Sequence, residues 1–231
     1  MRFLLRWSWR IILLALIMLT ALQFWFLVHI WYWNSHNPET TAFMRARLQI
    51  LQEDDPRAKL RHHWVPYQRI SVHLKRAVVA AEDAKFATHN GFDWEGIQKA
   101  YEKNLREGEI VAGGSTITQQ LAKNLFFSGE RAWWRKAQEA VVALMLETVM
   151  SKRRILEIYL NVIEWGDGVF GAEAAARYHY GSTAAALSPE QAARLAAVVP
   201  SPRRYGPGSN TGYLQRRTQT ILARMNGAQL P

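Results

Sequence analysis

From Ile11 to Trp33 apolar residues run almost unbroken, with Thr20, Gln23 and His29 as the interruptions. At ~1.5 Å per residue, a helix of this length spans a hydrocarbon core of ~30 Å. The pattern predicts one membrane span. Arg2, Arg6 and Arg10 precede it and Trp31, Tyr32 and Trp33 close it, which predicts a cytoplasmic N-terminus and an interfacial aromatic belt at the far end. A cleaved signal peptide would have a shorter apolar region ending in a small-x-small site. Residues 34–66 are polar and broken by EDDPR and RHHWVP, so they read as a connector with one short helix near Thr41 to Gln52. His62 and His63 lack partners at metal-ligand spacing and read as linker residues.

Beyond Tyr67 the apolar period is helical nearly throughout, and strand signals are scarce. Predicted helices are Leu74 to Thr88, Trp94 to Arg106 capped by Asp93 and ended by Gly108, Arg131 to Met150, and Lys152 to Asn161 capped by Ser151. Two more follow, Glu190 to Val199 after Ser188-Pro189 and Tyr213 to Met225 before Gly227. The expected organisation is an N-terminus (1–10), a span (11–33), a connector (34–66) and one mainly α domain (67–231). Removing the first 33 residues is expected to leave a domain that folds.

One position breaks the pattern. On a helix from Leu74, the residues Leu74, Val78, Glu82 and Phe86 share a face, which places a glutamate among apolar side chains. Glutamate is seldom buried without a partner or a task. A rotation of the helix that brings Glu82 and Asp83 to solvent is the plain alternative.

Composition adds a basic surface and a compartment. Formal charge is +10, and about +7 stays with the remainder when the three N-terminal arginines are set aside. Nucleic acid, anionic headgroups and a diphosphate-bearing substrate all suit such a surface. The absence of cysteine excludes disulfides and thiolate zinc sites and agrees with an exported domain.

Four segments carry the chemistry: EDAKFATHNG from Glu82, GGSTITQQLAKN (Gly113 to Asn124), RKAQEAVVALMLE (Arg135 to Glu147) and ILEIYLN (Ile155 to Asn161). In order and spacing they resemble the peptidoglycan glycosyltransferases, which polymerise lipid-linked disaccharide, over Val79 to Tyr180. Tyr180 stands where the family commonly has phenylalanine. The likeness is to the monofunctional members: the SxxK serine of a cross-linking domain is missing, and 231 residues are expected to leave no room for one.

The resemblance implies a lysozyme-like glycosyltransferase domain. Glu82 would be the base for the acceptor sugar's 4-hydroxyl, and Glu139 the second carboxylate near the donor diphosphate, where it would hold a divalent ion (Mg or Mn) or position basic side chains. Read without the resemblance, Glu139 is a surface ion pair with Arg135 or Lys136, worth ~0.3 to 0.5 kcal/mol. Ser115, Gln119, Gln120, Lys123, Arg131 and Lys99 would bind substrate. Lys99 reads equally as part of a solvated basic face. Asp83, Phe86, His89 and Gly91 are expected to be structural, and Glu147 and Glu157 to pair with Lys152, Arg153 or Arg154.

GGSTITQQLAKN lacks the lysine and the preceding strand of a P-loop, so no nucleotide is expected. Paired glycines allow close backbone approach, and Ser115 and Thr116 are both candidate caps. FFSGERAWWRK mixes aromatics with cations, which suits nucleic acid or a membrane interface; the apolar span favours the membrane. Gly108 to Gly114, GEIVAGG, reads equally as a lid or as a surface turn.

The expected partners are lipid II, the growing glycan strand, the inner membrane with the catalytic domain on its periplasmic side, and cell-wall synthesis or division proteins. Phosphoglycolipids of the moenomycin type are expected to inhibit. A membrane-anchored muramidase and a non-catalytic basic binding module are the alternatives.

Overall fold

The computed structural model describes residues 2–109, 113–128 and 133–231. Arg131 and residues 110–112 of the Gly108 to Gly114 segment lie outside them. Among the described residues the fold is mainly α, with ten α-helices and one small sheet.

Helix α1 (Arg2–Ser35) carries a stretch, Trp9–Ser35, long and apolar enough to cross a membrane. Its two halves differ. Ile11 to Leu19 are exposed, whereas Phe26 and Ile30 are buried in the core and Trp33 packs against it. Phe26 meets the rings of Phe126 and Phe127 edge-on or tilted. Arg154 donates to the carbonyls of Trp33 and His36, satisfying acceptors at the end of α1. The end of the span is therefore part of the domain's packing, and removing residues 1–33 would open the core at Phe126 and Phe127.

Helix α2 (Ala42–Asp54) is capped by Thr41, whose side chain accepts from Met44 N. Strand β1 (Arg61–His62) lies parallel to β3 (Val169–Phe170), and β3 is antiparallel to β2 (Glu164–Gly166). Strands of two and three residues are too short to show an alternating period, so they escape sequence patterning. The stretch just before Tyr67 is stitched to helix α7 (Lys152–Val162): His62 Nε2 lies 3.0 Å from Asn161 O, and Val65 N donates to Asn161 Oδ1. His62 is thus fastened in the sheet rather than loose in a linker. Gly171 is obligatory where β3 turns into helix α8 (Ala172–Tyr180). Its φ is +84°, and a Cβ there would lie 2.6 Å from Asn161 O.

Helix α3 (Val72–Glu82) starts at the cap Ser71 and stops at Asp83, short of the expected Thr88. Asp83 turns extended (φ −163°, ψ 76°) so that its carboxylate accepts from Ile117 N and bonds His89 Nε2. Leu74 and Val78 still share the buried face with Glu82, while Phe86 reaches the core from the turn that follows. Helix α4 (Trp94–Glu107) has its Asp93 cap and left-handed Gly108 but buries none of its residues. Helix α5 (Ile117–Phe126) opens with a capping box of Thr116 and Gln119, which decides between the two candidate caps in favour of Thr116. Helices α6 (Trp133–Val149), α9 (Pro189–Val198) and α10 (Gly212–Met225) complete the core, with α9 and α10 packed on α3.

Candidate active site

A cleft of about 1070 Å³ opens between α3, α5, α6 and the segment 199–204. Glu82, the last residue of α3, forms part of its wall. Its side chain is only 9% exposed, yet both oxygens are occupied: Gln120 Nε2 donates to Oε2 at 3.0 Å, and Arg217 of α10 donates to Oε1 at 3.2 Å. Burial pushes this carboxyl up, against Gln120 and Arg217, which pull it down. The group is thus near-dry but supported in its ionised form, the condition a general base needs.

Gln120 is held in turn. The fully buried Tyr159 of α7 donates its hydroxyl to Gln120 Oε1 at 2.7 Å. Burial drives the Tyr159 phenol well up, and the nearby Glu82 and Asp83 add to the shift, so it remains a donor.

On α6, Glu139 lies between two cations of its own helix. Arg135 Nε is 3.2 Å from Oε1 and Lys136 Nζ is 3.2 Å from Oε2. Glu139 is 4% exposed, so the expected surface pair is in fact a buried one. Lys123, half-buried on α5, lines the same cleft, as does the exposed Ser115. The donor set does not suit a divalent ion. Two cations already flank the single carboxylate, and the described residues contain no cluster of three metal-ligating side chains.

Glu164 also lines the cleft, its carboxylate buried beside Arg47 and Arg203, as do Phe43, Pro200 and Pro202. Burial pushes Glu164 up.

The structure therefore brings together Glu82, Gln120, Lys123, Ser115 and Glu139. Gln119 touches the cleft, but its Oε1 is engaged by Thr116 N, which makes it part of the helix cap rather than a free ligand. Lys99 is not brought in. It lies on α4, 69% exposed and paired with Glu95, and is absent from the cleft lining among the described residues. Asp83 and His89 bond each other, Phe86 is fully buried, and Gly91 takes φ +86° against Glu147, so all four occupy framework positions. Glu147 pairs with Lys152, and Glu157 with Arg154.

Arg217 and Tyr159 escaped the sequence reading as partners of Glu82. A signal for Arg217 was present. Leu214, Thr218, Ile221 and Met225 form the buried stripe of α10, and Arg217 lies three residues after Leu214 and four before Ile221.

The Transglycosylase family profile matches residues 49–226, which takes in every cleft residue except Phe43. The chain belongs to this family. Full-length relatives agree. A biosynthetic peptidoglycan transglycosylase of Methylobacillus flagellatus is 62% identical over 96% of this chain and 97% of its own. One from Nitrosospira multiformis is 60% identical over 98% of each chain. A third, from Azoarcus sp., is 55% identical over the whole of both. The lysozyme-like character expected of the domain thus attaches to a transglycosylase whose cleft is built on the ends of α3, α5 and α6.

Proposed function

We propose that this transglycosylase polymerises lipid II into β-1,4-linked glycan by inverting transfer. Glu82 accepts the proton of the acceptor sugar's 4-hydroxyl as that oxygen bonds to C1 of the α-linked donor sugar. The bond from C1 to the phosphate oxygen breaks, and its electron pair leaves with undecaprenyl diphosphate. Lys123, Arg135 and Lys136, with Arg131 from the same segment, receive the diphosphate charge; Ser115 adds a hydroxyl. Glu139 fixes Arg135 and Lys136. No step runs through a metal. The observation that carries this reading is the dry Glu82, supported as a carboxylate on the wall of a cleft whose neighbouring helix supplies cations.

The chain acts at the inner membrane as a single-pass protein, with its N-terminus cytoplasmic and its catalytic domain periplasmic. Exposed Trp133, Trp134, Val141 and Leu144 on α6, beside α1, support a domain seated on the bilayer from which a lipid-linked substrate is drawn. Residues 67–231 form the catalytic unit, and cell-wall synthesis or division proteins are its cellular partners.

The test incubates full-length, detergent-solubilised protein with labelled lipid-linked disaccharide and with preformed glycan. Polymer formation is expected. Cleavage of glycan would instead make it a muramidase, and binding without turnover a binding module.

A further inference from the structure

Gln120 stands between Tyr159 and Glu82, and its amide has one accepting end and one donating end. As the side chains lie, Tyr159 donates to Oε1 and Nε2 donates to the carboxylate. Turning the amide over would set its oxygen against a carboxylate oxygen, two acceptors with no proton between them, unless Glu82 were protonated. The Tyr159 hydroxyl would then accept from the amide and have to place its own proton elsewhere. Tyr159 is fully buried, and among the described residues Gln120 is the partner of that hydroxyl. The two ends of the chain are therefore linked: a donating Tyr159 goes with an ionised Glu82.

We propose that Tyr159 is a positioning residue for the base, acting through Gln120: its hydroxyl locks the amide with the NH2 toward Glu82 and so selects the proton-accepting carboxylate. This rests on Glu82 being the base. Other groups facing Glu82 are Arg217 from α10 and Asp83 next in the chain, itself held by His89. From α5 comes the neutral Gln120, with Lys123 one turn on in the same cleft. Burial works against the ionised form, so each support matters. Arg217 approaches Oε1 and is not among the cleft-lining residues, whereas Gln120 lines the cleft and holds Oε2.

The experiment is the pH dependence of kcat/KM for polymerisation by the full-length protein. In Tyr159→Phe the amide is released, so the acid limb should move to higher pH. Rates on that limb should fall about three- to tenfold, the worth of one neutral hydrogen bond, and recover toward wild type on the alkaline side. In a Gln120→Met background, Tyr159→Phe should cause no further displacement. A loss equal at every pH would show a packing role only. The same displacement with Met at position 120 would show that Tyr159 does not act through Gln120. Either result overturns the proposal. Should Tyr159→Phe fail to fold, Gln120→Met alone must move the limb the same way, and an unmoved limb overturns it. An active Glu82→Gln would instead remove the base reading itself; an inactive Glu82→Gln with an unmoved limb in Tyr159→Phe sinks this inference alone.

Discussion

Glu82 and Glu139 are both buried carboxylates on one cleft, but they are held in opposite ways. Glu139 sits between Arg135 and Lys136 of its own helix, so its charge is matched locally. Glu82 is held by side chains from two other helices, an amide from α5 and one guanidinium from α10 that is partly open to water. Local matching fixes a charge in place; incomplete matching leaves one able to take a proton. The contrast supports the proposed division, positioning for Glu139 and chemistry for Glu82, although sequence motifs present them as a pair.

The strongest break of that contrast is Glu82→Gln. The amide keeps size and hydrogen bonding but cannot accept a proton, and polymerisation should fall ~10² to 10⁴-fold. Stability should move the other way. A carboxyl raised in the folded state stabilises the fold most below its unfolded value, near ~4.3, and that contribution is lost as pH rises through the folded value. Glutamine carries no charge at any pH. Its Tm should therefore exceed wild type at about pH 7.5, and the gap should close toward about pH 4. Near-normal turnover, or a Tm below wild type at neutral pH, would contradict the picture of Glu82 as a strained, functional carboxylate.

Glu139→Gln should show the opposite signature. It removes the charge that faces Arg135, buried beside it, and removing one partner of a buried pair costs ~3 to 5 kcal/mol. At ~2 to 4 °C per kcal/mol for a chain of this size, the melting temperature should drop by roughly 6 to 20 °C. Activity should fall roughly 10²-fold, chiefly through a higher donor KM, because the cations it positions are displaced. A Tm that rises as in Glu82→Gln would erase the distinction between the two carboxylates. A defect confined to Tm, with donor KM unchanged, would reduce Glu139 to a structural ion pair.

Arg217→Met tests the guanidinium side of Glu82. One charge-assisted bond is lost, so kcat/KM should fall about tenfold at neutral pH. The acid limb should move to higher pH, because the remaining burial favours the protonated form. Activity should be recovered in part at alkaline pH. A loss independent of pH would mean that Arg217 serves packing of α10 on α3 and not the base.

What could be read from the chain follows the range of each interaction. Caps are local, so Asp93, Ser151 and Ser188 mark their helix starts in sequence as they do in space. Glu82 stood out because it interrupts an apolar face within two turns. Its partner Arg217 lies 135 residues away, and no local pattern could join them. The α3 end was misjudged for the same reason. Asp83 leaves the helix to meet Ile117 and His89, a tertiary demand that overrides a favourable period. In α1, Phe26 and Ile30 look like any other apolar residues of a span, and only the packing in space, such as Phe26 against Phe126 and Phe127, shows that they are buried.

Lys99 gives the smallest effect and the sharpest check on which cations belong to the cleft. Motif position alone put it with Lys123, and both lie on helices next to the glycine-rich segment. Their settings differ. Lys123 is half-buried in the cleft wall, whereas Lys99 points into solvent and bonds Glu95, which also bonds Lys85. Those two lysines, Lys85 first, hold Glu95 down at about 2, so Glu95 keeps one cation when Lys99 is removed. Lys99→Ala should therefore leave donor KM and its salt dependence within roughly twofold of wild type, as for a surface position away from special features. Lys123→Ala in the same assay should raise donor KM at low and high salt alike, since a cleft cation shielded from water is screened less by ions. A tenfold rise in donor KM for Lys99→Ala would mean that α4, which buries none of its residues here, swings over the cleft when substrate binds and carries Lys99 to the diphosphate. The basic set of the site would then extend beyond α5 and α6.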